Sequence, residues 1–369
     1  MSSPLHTRAS TRGTLTRLGE NLASLARMAT TPLLPHDYLE LVDPLRLSTR
    51  LRGRIVERRA ETPDAATLVI RPGRGWHAHL PGQYVRLGVD IDGVRHWRAY
   101  SLTSPVAAPD GCIAVTVTRA GLVSSHLVDR ITTGALIHLD QATGDFVMPA
   151  AVPDKILFLT AGSGLTPIIG MLRNDGTALA DVTLVHCAPD ARRTLFRDEL
   201  RALATVGEIS YHEWFTGERG RLDLNTPDAL DRLVPDWRDR HTWACGPGPM
   251  LDACEELWTG QHLLDRLHTE RFRTPIVAVG EGGTVHFDRT GRSATTDGAT
   301  TLLDLADSQD VLAPSGCRMG ICFGCIAPLL AGSVRDLRDG RITTALPDDG
   351  PVDIQTCIHA PAGDCTLDL

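Results

Sequence analysis

Lysine is nearly missing from this chain: of its 37 basic residues only Lys155 is a lysine. That bias is one of genome composition, so an arginine alone says little about phosphate binding. Long apolar runs are missing as well. No stretch reaches the roughly eighteen apolar residues that mark a membrane-crossing helix. The nearest, residues 156–172, is broken by Gly162, Ser163, Gly164 and Pro167 and reads as strand, loop and helix. No secretory signal is visible, and nine cysteines in 369 residues are sparse for a disulfide scaffold. There is no internal repeat. At a net charge of −8 no nucleic-acid partner is expected.

What is present describes an ordinary globular protein. Hydrophobic residues make up 42% and charged residues 22%, and the length suits two or three domains with a core each. The negative charge is uneven. Residues 281–369 hold 13 acidic and 6 basic side chains, which leaves the first 280 residues with a net −1. An acidic module can be merely well solvated, or it can steer toward a basic partner.

Cys317, Cys322 and Cys325 stand in the spacing C-x₄-C-x₂-C, and Cys357 follows after 31 intervening residues. Four thiolates at this plant-type spacing hold the two irons of a 2Fe–2S cluster. Gly316, Gly320 and Gly324 suit a tight loop whose N–H groups approach cluster sulfur. A zinc site would pair two short ligand units, and Cys357 has no near neighbour to make the second. Cys112, Cys187 and Cys254 have no partner pattern and read as core thiols. The loop predicts an electron carrier.

Taken in order, residues 1–30 carry Arg8, Arg12, Arg17 and Arg27 against Glu20 alone. Leu15, Leu18, Leu22, Leu25 and Ala29 share one helical face. The stripe predicts a helix packed on the body, with a membrane-surface helix or a targeting leader as alternatives. Residues 1–47 together read as an N-terminal helical extension with an irregular lead-in. Strand-like runs at 54–57, 66–70, 84–89 and 113–117 predict a small antiparallel β-barrel over 48–150. The pattern then alternates, with strands at 155–159, 181–186 and 241–245 and helices at 166–173, 194–203 and 249–258. Alternation of this kind predicts a parallel α/β sheet over 151–272. Residues 273–283 read as a linker, and 284–369 as the cluster-bearing domain.

The barrel contains Arg98-Ala99-Tyr100-Ser101-Leu102-Thr103. A flavin needs an aromatic face, a donor near ring N5 and positive charge at its phosphate. Tyr100, Ser101 and Arg98 can supply these, although an ordinary strand reads the same way. The turn Gly121-Leu122-Val123-Ser124 opens a helix and can either cradle a pyrophosphate or serve as a plain helix cap. Gly162-Ser163-Gly164-Leu165-Thr166-Pro167 lies between strand and helix, the context in which a glycine loop binds nucleotide phosphate. Cys245 and Gly246 end the third parallel strand, at the edge where such sheets bind ligands, and Cys245 can equally be a buried structural thiol. After the second parallel strand, Asp190 can accept from a ribose hydroxyl, whereas Arg192 or Arg193 can meet a 2′-phosphate.

In this order the motifs R-x-Y-S, G-x-x-S, G-x-G-x-x-P and C-G-x-x-M resemble the ferredoxin–NADP reductase superfamily, with a C-terminal plant-type ferredoxin appended. The resemblance covers about residues 48–369. It implies an FAD-binding antiparallel barrel, a parallel NAD(P)-binding domain and a β-grasp 2Fe–2S domain. Arg98 would then bind flavin phosphate, Tyr100 stack on the ring, Ser101 hydrogen-bond near N5, and Gly121 through Ser124 hold the pyrophosphate of FAD. Gly162, Gly164, Thr166 and Pro167 would shape the NADPH (or NADH) site, with Cys245 near the nicotinamide. Glu270-Arg271-Phe272 is similar to the family's glutamate-x-aromatic ending, so Phe272 would cover the flavin until nicotinamide displaces it, and Glu270 would count with Ser101, Cys245 and Phe272 as catalytic. The family's tail carries an apolar residue where this chain has Cys365, so Cys365 is expected not to be a ligand.

The resemblance implies a hydride passing from NAD(P)H to FAD, then single electrons through the cluster to a terminal acceptor protein. The lead-in and the Trp97–Leu102 run are most similar to actinobacterial reductases serving membrane acyl-CoA desaturases and di-iron hydroxylases. The expected location is cytoplasmic, with peripheral contact at the inner membrane face through residues 1–30. The reductase of a soluble ring-hydroxylating dioxygenase or haem monooxygenase is the alternative within the enzyme class. A non-catalytic flavin/iron–sulfur redox sensor is the alternative outside it.

Overall fold

The computed structural model describes residues 43–45, 50–175, 179–272, 279, 281–316, 318, 320, 323–346 and 349–369. The expected helix within residues 1–30, its membrane contact, and most of the 273–283 linker lie outside them. Among the described residues no helix is long and apolar enough to cross a membrane.

The first unit is a six-stranded antiparallel sheet in the order β4-β3-β6-β1-β2-β5. Its strands are β1 (Arg52–Thr62), β2 (Ala65–Pro72), β3 (Tyr84–Ile91), β4 (Val94–Ser101), β5 (Ile113–Thr118) and β6 (Leu136–Leu139). Helix α1 (Leu122–Asp129) joins β5 to β6. Leu102 N–H bonds the Gln83 carbonyl, and Leu102 bridges Val115 on β5, which draws the two edge strands together and closes the barrel. Ile55, Leu68, Ile70, Leu87, Val115 and Ile137 fill the interior. Each is β-branched or branched aliphatic, the kind of side chain that suits a pleated, half-buried surface. Strands β4 and β6 lie outside the four expected runs. β4 is interrupted by Arg95, His96 and Arg98, and β6 has only four residues, so neither shows a long apolar alternation.

The second unit is a parallel sheet ordered β11-β10-β7-β8-β9. Its strands are β7 (Lys155–Ala161), β8 (Asp181–Ala188), β9 (Ser210–Phe215), β10 (His241–Cys245) and β11 (Leu267–Glu270). The helices are α2 (Leu165–Asp175), α3 (Arg197–Thr205), α4 (Thr216–Arg219), α5 (Asp228–Leu233) and α6 (Gly248–Gly260). α3 begins three residues later than the sequence pattern suggests, because Phe196 takes a left-handed conformation at its start. Apolar clusters cover both faces of the sheet, one around Phe158, Ile168 and Trp243, the other around Leu159, Trp237 and Trp258. The chain runs outward from β7 to β8 and β9, then returns to β10 on the other side. That reversal opens a crevice at the carboxyl ends of β7 and β10, where doubly wound sheets bind ligands.

The third unit is a mixed sheet ordered β13-β12-β17-β14-β15, with β16 also paired to β14. It comprises β12 (Gly283–Phe287), β13 (Arg292–Thr296), helix α7 (Leu302–Ser308), β14 (Ile326–Asp336), β15 (Ile342–Ala345), β16 (Val352–Gln355) and β17 (His359–Leu367). Strand β12 starts at Gly283, the last residue of the expected linker, whose φ of +151° and contact with the Gly363 carbonyl leave no space for a Cβ.

Candidate flavin, nucleotide and cluster site

One cleft of about 1070 Å³ gathers side chains from all three units. The barrel contributes Tyr84, Arg98, Tyr100 and Ser101 from β3 and β4, and Gly121 to Ser124 from the start of α1. Ser163, Thr166, Glu270 and Phe272 come from the parallel sheet and its first loop. Leu303, Asp304, Asp307, Arg318, Cys357 and Ile358 form the opposite wall.

Strand alternation sets Arg98 and Tyr100 on one face, as the sequence implies. Among the described residues the Arg98 guanidinium bonds only the neighbouring Trp97 carbonyl, at 2.7 Å. Burial, then the nearby charge of Arg318, pulls its pKa down to about 10. A part-buried cation without a carboxylate partner among the described residues is a ready anion site. Burial likewise pushes the Tyr100 phenol up, which keeps it neutral. Ser101 is 3% exposed and its hydroxyl has no partner among the described residues, an arrangement that costs energy unless a ligand completes it.

At the start of α1 the Ser124 hydroxyl accepts from the Ala120 and Gly121 N–H groups and donates to the Gly121 carbonyl. It therefore acts from inside the first turn, and Gly121 is the N-terminal cap residue. The next N–H groups of the turn have no partner within the helix and belong to residues that line the cleft.

The glycine loop and the Cys245 corner prove to be one feature. A Cβ on Gly164 would stand 2.0 Å from the Cys245 carbonyl oxygen, and one on Gly246 would meet Met250 sulfur at 2.9 Å. Gly162 has φ +55°, and Thr166 turns its hydroxyl back to the Ser163 carbonyl. Pro167 falls in the first turn of α2, where its missing N–H costs nothing. The cleft lining includes Ser163 and Thr166, but not Gly162, Gly164, Pro167, Cys245, Gly246 or Leu102. Cys245 is fully buried, and burial pushes its thiol well up.

Glu270, paired with Cys245 across β10 and β11, has one carboxylate oxygen buried and unpartnered. Burial raises its pKa to about 8. The adjoining Arg271 points away and clamps Asp252 and Glu255 of α6 at 2.7 and 2.9 Å. Phe272 then stands half-exposed at the cleft mouth.

Beyond β8, the Asp190 carboxylate is already engaged. It accepts from the N–H groups of Arg192 and Arg193 and pairs with the Arg193 guanidinium at 3.1 Å. Asp190 thus serves its own turn rather than waiting for a ribose. The Arg192 side chain is exposed and has no carboxylate partner among the described residues.

Of the four cluster thiols, Cys317 and Cys322 lie outside the described residues. Cys325 and Cys357 are 1% and 4% exposed and share a small apolar cluster with Leu303 and Ile358. A hydrogen bond with Cys357 pulls the Cys325 thiol below its ordinary value. The Thr356 N–H and hydroxyl both bond the Cys325 carbonyl, fixing the two thiol segments together. Cys365 sits elsewhere, in the sheet core with Val285, Phe287 and Leu329.

Sequence reasoning missed the far wall of the cleft, including Asp304, Asp307 and Arg318. Nothing local marks a helix in one unit as facing a strand in another.

A family model described as a 2Fe-2S iron-sulfur cluster binding domain matches residues 285–362. An NADPH oxidoreductase of Mycobacterium tuberculosis is 44% identical over 94% of this chain and 92% of its own. The glycine betaine monooxygenase reductase subunit of Pseudomonas aeruginosa is 30% identical, over 78% of this chain and 86% of its own. The structure of phthalate dioxygenase reductase superposes with a TM-score of 0.58 at 22% identity, covering 87% of this chain and 98% of that one.

Proposed function

The chain belongs to the ferredoxin–NADP reductase superfamily, as an NAD(P)H-dependent reductase with FAD and a C-terminal 2Fe–2S domain, and on that premise we propose that it passes electrons from NADPH to an oxygen-activating protein. The observation that carries this reading is the shared cleft, in which Ser101, Thr166, Glu270 and Cys357 border one space. When bound, FAD supplies the conversion of a two-electron hydride into single electrons, which the cluster takes one at a time.

The chain's own residues do the rest. Arg98 meets flavin phosphate, Tyr100 offers a ring face, and the Ser101 hydroxyl donates into the space its unpartnered oxygen borders. The first turn of α1 holds pyrophosphate through its N–H groups. Glu270, protonated up to about pH 8, adds no negative charge to a place where charge moves, and Phe272 covers the mouth. Gly164 lets the nucleotide loop settle on the Cys245 carbonyl, so Cys245 supports the nicotinamide side from behind. Cys317, Cys322, Cys325 and Cys357 hold the cluster.

Arg192, with Asp190 occupied, supports NADPH over NADH. Arg192→Ala is expected to raise KM for NADPH about tenfold, the size of one lost charge-assisted contact, and to leave NADH nearly unaffected. Anaerobic mixing with each nucleotide tests the reductase reading, and a flavin that neither bleaches would sink it.

The acceptor follows from two sources. The resemblance of the lead-in and the Trp97–Leu102 run favours a membrane acyl-CoA desaturase or di-iron hydroxylase. The name of the Pseudomonas relative favours a monooxygenase. Reconstitution with one of each class, with and without residues 1–30, separates them by which acceptor turns over.

A further inference from the structure

We propose that the cluster unit completes the flavin site: Leu312, with Val94 and Leu122 of the barrel, forms an apolar end of the cleft that holds the adenosine half of FAD. The proposal rests on the reductase reading above and concerns which flavin the cleft retains.

Four alternate residues of β4, namely Val94, His96, Arg98 and Tyr100, line the cleft, so one face of that strand is its floor. The chemistry changes in order along it. Tyr100 and Ser101 mark the ring end, and Arg98 with the first turn of α1 marks the phosphate position. FMN, which stops at its phosphate, would end there. The floor runs on through His96 to Val94, which is ~13 Å of strand beyond Arg98 at about 3.3 Å per residue. That length accommodates a ribose and a purine in line. Ile91 and Asp92, at the turn between β3 and β4, border the same end.

The opposite wall follows the same line. Leu303, at the start of α7, packs with Cys357 beside the cluster position. The charge of Asp304 reaches Arg98, and that of Asp307 reaches both Arg98 and His96. Asp310, Val311 and Leu312 follow the helix and also line the cleft, and this order sets them toward the Val94 end. Leu312 is 71% exposed and Leu122, on the barrel side, 61%. A lone leucine on a convex surface is ordinary. Two that border one concave space leave apolar area in water that a flat purine face would cover. A charged middle and an apolar end match a pyrophosphate followed by an adenine. Because each unit supplies one wall, FAD bridges the barrel and the cluster unit, and FMN does not.

The test is a titration of the full-length protein, carrying its cluster and stripped of flavin, with FAD and with FMN, followed by flavin fluorescence. Leu312→Ser is expected to weaken FAD about tenfold, the effect of one leucine uncovered, and to leave FMN unchanged. Val94→Ser should do the same from the barrel side. Leu346→Ser, an exposed leucine of the cluster unit outside the cleft lining, should alter neither. Unchanged FAD affinity in both Leu312→Ser and Val94→Ser overturns the proposal, as does an equal loss for FMN. Wild-type protein that holds FMN as tightly as FAD overturns it too. Failure of NADPH to bleach the bound FAD would instead defeat the reductase reading, and the two titrations would still decide the adenosine site.

Discussion

Between the barrel and the parallel sheet, Gly170 of α2 lies so close that a Cβ would stand 2.4 Å from the Leu102 carbonyl oxygen. Arg173 bonds the Thr103 carbonyl, and Asn174 bonds the Ser104 carbonyl and the Val106 N–H. Between the barrel and the cluster unit the walls are charged instead. His96 and Arg98 face Asp304, Asp307 and Arg318 across open space, and the Arg318 pairs stay within its own unit. The first seam fixes a nucleotide against a flavin, where sub-ångström placement decides the rate. The second has only to keep two redox groups near each other, so it can be wet and polar. One chain thus uses backbone contact where geometry matters and electrostatics where proximity suffices.

The contrast can be broken from either side. Gly170→Ala should cost about 1–3 kcal/mol by overpacking against an immovable carbonyl, read as a drop in the thermal midpoint and loss of flavin. Arg173→Met leaves the Glu199 carboxylate and the Thr103 carbonyl without their donor, and about 1–2 kcal/mol is expected in denaturant unfolding. Asp304→Asn with Asp307→Asn should cost about 1 kcal/mol of stability, since the two carboxylates are half-exposed but Arg318, 19% exposed, loses both partners. It should slow cluster reduction by NADPH up to about fivefold, the effect of roughly 1 kcal/mol, in stopped-flow traces whose flavin phase is unaltered.

The pH dependence belongs to Glu270, on the cleft floor. Its folded pKa of about 8 exceeds its ordinary 4.5. Between those values the folded protein keeps a proton that the unfolded chain has lost, so stability falls as pH rises through that window and levels off above it. Glu270→Gln should flatten the decline. Parallel midpoint-versus-pH curves for the two proteins would contradict the assignment.

Much of this was legible in the sequence, because the informative segments are local. Thr160 to Pro167 shows strand, loop and helix within a few residues, and β10 at His241–Cys245 lies where the apolar run predicts it. β9 and β11 were not visible, since Ser210–Phe215 and Leu267–Glu270 are half-buried edge strands rich in His, Glu and Thr. The Arg318 side of the cleft was hidden because it is brought there by the packing of one unit on another, which no local pattern shows. The acidic C-terminal segment was apparent from counting, but only pairing shows which acids remain unneutralised.

Arg271 separates two loads. The chain leaves the parallel sheet just after Phe272 and continues toward the cluster unit, so any pull from that unit arrives at this point. The two ion pairs of Arg271 to α6 must break before the displacement reaches Glu270. Side by side in sequence, one residue works as a mechanical stop and its neighbour sits in the chemistry, so a displacement of the cluster unit would leave the floor of the cleft as it is.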